Sequence, residues 1–155
     1  MMKIIAIRIR GEVDVPPDVK KTLDLLKLRR KNTAVILDDN PSIKGMLKKV
    51  ENWITWGEID AETLSLLLEK RGRLIGDRKI APKYLQKLGF NSFKDIANAI
   101  LNNKIDIKNL PEFKPFFRLH PPKGGFKKSI KKTIGSNGEL GYRGKEINRL
   151  IKKMC

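Results

Sequence analysis

The sequence predicts an α+β fold built on a two-layer βαβαβ core, three strands carrying two helices on one face. Three observations predict it. Over the first fifty-seven residues the hydrophobic pattern switches between strand-like alternation and helix-like spacing of about 3.6 residues. Two proline-led helix starts, Pro16-Pro17-Asp18 and Asn40-Pro41-Ser42, separate the strand-like runs. Two helices laid on one face of a three-stranded sheet also give each layer a surface against which to bury its apolar side.

The elements follow in order. Lys3 to Arg10 alternates, with Ile5, Ile7 and Ile9 toward one face and Ile4, Ala6, Arg8 and Arg10 toward the other, which predicts a half-buried strand with a basic end. The helix beginning at Pro16-Pro17-Asp18 sets an acid at the positive end of its dipole, and Val19, Leu23 and Leu26 form its buried stripe. It is predicted to run out through Arg29-Arg30-Lys31-Asn32, where cations suit the negative end. Thr33 to Asp38, β-branched and apolar, is the second strand. Asn40 caps the second helix and Pro41 opens it. Ile43, Met46, Leu47 and Val50 give that helix its apolar face, while Lys44, Lys48 and Lys49 project elsewhere. Trp53-Ile54-Thr55-Trp56 supplies the third strand.

Past Gly57 the pattern changes to short helices. Asp60 caps a run bearing Leu64, Leu67 and Leu68 that stops at Arg71-Gly72, and Ala81 to Leu88 is closed by Gly89. Asn91 or Ser92 caps a third run, with Phe93, Ile96, Ala97, Ile100 and Leu101 on one stripe. Helices this small are expected to pack on the first unit. From Leu110 onward, Pro111, Pro115, Pro121, Pro122 and six glycines between Gly124 and Gly144 punctuate the chain. They predict an extended basic arm ending in a helix from Arg143 to Met154, with Ile147, Leu150, Ile151 and Met154 on one face. The expected division is a core over 1–57, a helical insert over 58–112 and the arm with its helix over 113–155.

Charge points to the partner. The 155 residues carry a net +17, and from Phe113 to Cys155 twelve Lys and Arg stand against Glu139 and Glu146 alone. Like charge at that density repels itself on a compact surface, so a polyanion is expected to neutralise it, nucleic acid being the commonest. Aromatic residues make up only 6% of the chain, which favours recognition of phosphates and shape over stacking on bases. A hydrophobic fraction of 40% beside a charged fraction of 33% places the chain with folded proteins. No apolar run reaches the roughly eighteen residues a membrane span needs. The opening apolar stretch, broken by Arg8 and Arg10, is not a secretory signal. Cys155, without a second cysteine, offers neither a disulfide nor a thiolate metal site. The expectation is a cytoplasmic protein with no cofactor.

Four groups of residues are candidates for holding a polyanion. Pro41-Ser42-Ile43-Lys44-Gly45 opens a helix whose free amides and dipole suit a phosphate, with Lys48 and Lys49 a turn further on. The plainer alternative is an ordinary cap beside a solvated lysine. Gly45 inside a helix costs about 1 kcal/mol against alanine, which calls for either close approach by a partner or tight packing on the sheet. Arg29, Arg30 and Lys31 form one basic rim with Arg8 and Arg10 if the first strand and helix end near each other; otherwise they are a solvated helix end.

His120-Pro121-Pro122-Lys123-Gly124-Gly125-Phe126-Lys127-Lys128 is the most suggestive segment. Its glycines admit a ribose–phosphate chain, its lysines neutralise one, and its prolines hold the backbone extended before binding. A disordered basic tail is the alternative. Lys131, Lys132, Arg143 and Arg149 carry the same charge toward the end of the chain. His120 has no second histidine or acid nearby, so neither metal nor general-base chemistry is supported. Gly135-Ser136-Asn137-Gly138 matches neither nucleotide-binding glycine pattern and reads as turns.

Three stretches resemble one family. They are Thr22-Leu23 through Leu28-Arg29, the turn Asp39-Asn40-Pro41-Ser42-Ile43-Lys44-Gly45-Met46, and the ending from Gly141 to Met154. In this order, with the βαβαβ pattern, they resemble large-subunit ribosomal protein thirty in its archaeal form, whose eukaryotic relatives are called protein seven. The core resemblance covers Lys3 to Glu58, and the insert and arm match the longer archaeal and eukaryotic members. The resemblance implies a ferredoxin-like core with a three-stranded antiparallel sheet and a non-catalytic role as a structural constituent of the large subunit. It implies binding to ribosomal RNA near the 5S RNA region, beside neighbouring ribosomal proteins, in support of subunit assembly and translation, with no membrane and no small-molecule substrate. Lys44 stands where many relatives carry arginine, which removes only a bidentate phosphate contact there.

Two other readings stay open. A ferredoxin-like regulatory module binding a small metabolite would need a pocket of convergent polar groups, and it leaves the basic extension unexplained. An enzyme acting on nucleic acid would need clustered acids or a metal set, whereas the acids here are scattered.

Overall fold

The computed structural model describes residues 3–11, 13–126, 128–136 and 138–155. The elements run β1 (Lys3–Arg8), α1 (Pro17–Leu25), β2 (Thr33–Asp38), α2 (Pro41–Lys49), β3 (Ile54–Glu58) and α3 (Ala61–Arg71). They continue with a small hairpin of β4 (Arg73–Leu74) and β5 (Arg78–Lys79), then α4 (Pro82–Lys87), α5 (Phe93–Leu101), β6 (Phe117–Arg118), β7 (Ser129–Thr133), β8 (Gly138–Tyr142) and α6 (Ile147–Met154). The architecture is α+β. No helix among the described residues is long and apolar enough to cross a membrane.

β1 pairs antiparallel with both β2 and β3, setting Ile5 opposite Ile36 on one side and Gly57 on the other. This is the expected three-stranded antiparallel core. The sheet then grows at both edges, in the order β6-β2-β1-β3-β8-β7. β6 joins β2 antiparallel, and β8 joins β3 parallel.

The expected half-buried first strand is corrected, and the two-layer core gains a further helical layer from the segments that follow it. Every residue of β1 is buried. Ile4 and Ala6 pack with Val19, Leu23 and Leu47 beneath α1 and α2, while Ile5 and Ile7 meet Leu64, Leu67, Ile96 and Ile151 from α3, α5 and α6. The sheet is therefore sandwiched between helices. Alternation misled because both faces of β1 are apolar up to Arg8, and a sheet covered on both faces needs no polar side.

The expected extended arm is corrected as well. Among the described residues after Phe113, the chain folds back over the core, supplying β6 at one sheet edge, β8 and β7 at the other, and α6 to the second core. The return is tight. A Cβ added at Gly57 on β3 would lie 1.9 Å from the Gly144 carbonyl oxygen, so only glycine lets the turn into α6 cross there. Asn148 seals the contact, donating from Nδ2 to the Glu58 carbonyl at 3.0 Å and accepting from the Asp60 amide at 3.0 Å.

Local rules account for most element ends. Asn40, Asp60 and Ser92 accept from the amides of Ile43 (2.8 Å), Thr63 (2.7 Å) and Asp95 (3.2 Å), each capping its helix. α1 is the exception, for it stops at Leu25 rather than running to Asn32. Lys27 turns to φ +66, and the amides of Leu28 and Lys27 close on the carbonyls of Leu23 (2.9 Å) and Asp24 (3.1 Å). That pair of bonds ends a helix in a left-handed turn and returns Leu28 to the core beside Leu23. Arg29 to Lys31 consequently lie on a loop.

Candidate nucleic-acid interface

The basic rim is built from that loop outward. Arg8, 2% exposed, is inside the protein. Its guanidinium donates to the carbonyls of Leu28 and Arg10 at 2.9 Å each and Gly11 at 3.3 Å, so it pins the loop that carries Arg29 and Arg30. Arg10 lies over the Trp53 ring at 5.6 Å and donates to the Asn52 carbonyl. Arg29, Arg30 and Lys31 are exposed.

Arg29 and Arg30 line a cleft of about 200 Å³ together with Lys27, Thr33, Phe116 and Arg118. The pairing of β2 with β6 sets Arg118 opposite Thr33, and its guanidinium lies 5.8 Å from the Phe116 ring centroid. Arg118 also reaches Asp77 at 3.6 Å, an exposed pair of little energetic weight. Hydrogen bonding from Lys114, with the Arg118 charge beyond it, holds the Asp77 carboxyl below its ordinary range. Lys27 and Arg118 escaped the sequence reading, Lys27 because it falls within the run expected to be helical and Arg118 because the stretch after Pro115 is too short to show a period.

On α2, Pro41, Ser42, Lys44 and Gly45 near its start and Lys48 and Lys49 in its last turn are all exposed. A Cβ at Gly45 would meet nothing within 4 Å, so packing on the sheet does not explain the glycine. Lys44 pairs with Asp39 at 3.2 Å and Lys49 reaches Asp18 at 3.9 Å. Asp39 competes for the same positive helix end that a phosphate would use.

A third group lies beside α6, where a groove of about 350 Å³ is lined by Lys128, Arg143, Arg149 and Lys153 with Glu139, Glu146 and Phe126 among its walls. Gly124 and Gly125 take positive φ in the turn that leads to it, leaving Lys123 exposed. Lys131 and Lys132 are exposed on the edge strand β7. Lys127 lies outside the described residues.

Besides Arg8, two more predicted residues are engaged within the fold. Arg143 pairs with Glu139 at 2.8 Å and donates from Nε to the Thr55 hydroxyl at 2.8 Å, with both charged side chains nearly buried. Each ring nitrogen of His120 faces a carbonyl at 2.7 Å, those of Pro121 and Cys155, which ties the segment to the chain end. Arg149 is exposed and only loosely paired with Glu146 at 3.9 Å. Near the β3 edge, Tyr142 donates to Glu58 at 2.5 Å, and that bond pushes its phenol above the ordinary value.

Fold and surface together define a small, strongly basic α+β protein with lysine- and arginine-lined clefts. Comparison with known proteins makes the class specific. The family described as ribosomal protein L30p/L7e matches residues 4–54. The chain is 53% identical over 150 residues to the large ribosomal subunit protein uL30 of Ignicoccus hospitalis, covering 96% of this chain and 94% of that protein. Identity to the uL30 protein of Thermofilum pendens is 46% over 155 residues, covering 99% of each. To that of Aeropyrum pernix it is 51% over 152 residues, covering 96% of each. The chain belongs to the uL30 family of structural proteins of the large ribosomal subunit.

Proposed function

We propose that the chain binds ribosomal RNA in the large subunit, neutralising phosphates where RNA helices approach one another and so supporting subunit assembly and translation. The observation that carries the proposal is the gathering of cations into two clefts on a rigid scaffold. Lys27, Arg29, Arg30 and Arg118 meet at the β6 edge, and Lys128, Arg149 and Lys153 meet beside α6. Exposed Lys31, Lys44, Lys48, Lys49, Lys123, Lys131 and Lys132 extend the charge around them. Residues 1–57 serve as the RNA-binding core, 58–112 back the sheet, and 113–155 return to complete both clefts. Arg8, Arg143 and His120 act by holding backbone in place.

Positions near the 5S RNA region, and contacts with neighbouring ribosomal proteins, belong to the same proposal. Exposed Val13, Leu25 and Ile75 offer apolar surface for protein neighbours. The test is isolation of the tagged protein from cells in high salt. Co-purification with large-subunit RNA is expected, and recovery as a bare protein at every ionic strength would refute the proposal.

A further inference from the structure

We infer that the cleft at the β6 edge receives a single unpaired RNA base, stacked at Phe116 and Arg118, with its flanking phosphates held by Lys27, Arg29 and Arg30. The inference rests on the RNA-binding reading and deepens it.

Strand alternation separates the rings on this edge. Phe117 is fully buried in the core beneath α3, whereas Phe116, half-buried beside the end of α1, walls the cleft with Arg118. Four of the six lining residues are cationic and one is aromatic. At about 200 Å³ the cleft falls below the roughly 300–1,000 Å³ of pockets that engulf a small molecule. It suits one flat group whose charged remainder stays outside.

Bases offer π faces to aromatic rings and guanidinium planes, and unstacked bases are the ones proteins reach in RNA. Phosphate alone would engage the cations and make no use of the ring that Phe116 sets beside Arg118. The cleft is also preorganised. Arg8 pins the Leu28 carbonyl, the Asn32 amide donates to the Arg8 carbonyl at 2.7 Å, and the Leu119 amide donates to the Asn32 carbonyl at 2.9 Å. Little backbone ordering remains to be done at binding.

The test measures affinity of the full chain for three RNAs: a perfect duplex, the same duplex with one bulged adenosine, and the same bulge made abasic. The bulged adenosine should bind about tenfold more tightly than the duplex, the effect of one base–aromatic stack, and the abasic bulge should lose that gain. Phe116→Leu should erase the difference between the bulged and the abasic RNA. The abasic comparison uses the unmodified protein, so it stands even if that variant folds poorly. Equal affinity for all three RNAs, with a normal salt dependence, would overturn the base pocket and leave RNA binding intact. Failure to bind any of them would overturn both. A polyglutamate peptide binding as tightly as the bulged RNA, and weakened by Phe116→Leu, would assign the cleft to an acidic protein segment instead.

Discussion

Replacing Gly45 by alanine should stabilise the free protein and weaken its complex with RNA. Gly45 lies within α2, on its exposed side, and a methyl group there would meet nothing within 4 Å. The folded chain therefore gives glycine no steric purpose, and its cost is the helix penalty of about 1 kcal/mol. In a chain of 155 residues, removing that penalty should raise the melting temperature by about 2–4 °C. If RNA backbone approaches α2 over this residue, the added methyl forces a gap or a shift, and binding should lose about 1–3 kcal/mol, the usual scale of overpacking. Thermal unfolding followed by circular dichroism measures the first effect, and titration with large-subunit RNA measures the second. A fall in melting temperature would refute the open surface above Gly45. A rise with unchanged RNA affinity would refute the close approach.

Three further outcomes follow from the packing. Gly57→Ala drives a Cβ to 1.9 Å from a backbone oxygen, so denaturant titration should show a loss of about 3 kcal/mol or more; a neutral result would contradict the crossing of β3 by the turn into α6. Arg143→Ala strips a nearly buried Glu139 of its partner and should cost about 3 kcal/mol, while Arg149→Ala at the exposed face should stay within about 0.5 kcal/mol; equal melting shifts would contradict the separation of the two arginines into structural and surface roles. Tyr142 keeps its proton longer in the folded state than in the unfolded chain, because Glu58 accepts its hydrogen bond. The stability it adds is complete below the ordinary tyrosine value of 10.0 and drains as pH rises through the higher folded-state value. Tyr142→Phe should flatten that alkaline decline in unfolding free energy, and an identical decline would contradict the assignment.

What the sequence revealed depended on how local the physics was. α2, α3 and α5 were legible because each carries its own capping side chain and an apolar stripe, and the βαβαβ order followed from the strand-like runs separated by two proline-led helix starts. The end of α1 was not, since Lys27 occupies a left-handed conformation that glycine usually marks. Burial of Arg8 was equally hidden: among the described residues its guanidinium donates to three carbonyls, supplied by the folded backbone and carrying no residue signature. β6 is two residues long and earns its place only by pairing with β2, far away in the chain.

The candidate site divides the same way. Exposed lysines on α2 and β7 were readable as charge on a surface. The cleft that joins Arg29 and Arg30 to Phe116 and Arg118 exists only after the C-terminal residues return to the sheet edge. The low aromatic content pointed away from base stacking, yet one ring placed among four cations is enough to make a pocket.

The most direct test of the central claim, that cations fixed in clefts hold RNA phosphates, is the salt dependence of affinity for large-subunit RNA. The logarithm of the binding constant should fall linearly with the logarithm of salt concentration, by about 0.9 for each phosphate neutralised on a duplex. Removing Lys128, Arg149 and Lys153 together should lower both the affinity and the slope. An unchanged slope in that variant would contradict the claim for the groove beside α6, and binding indifferent to salt in the unaltered protein would contradict it altogether.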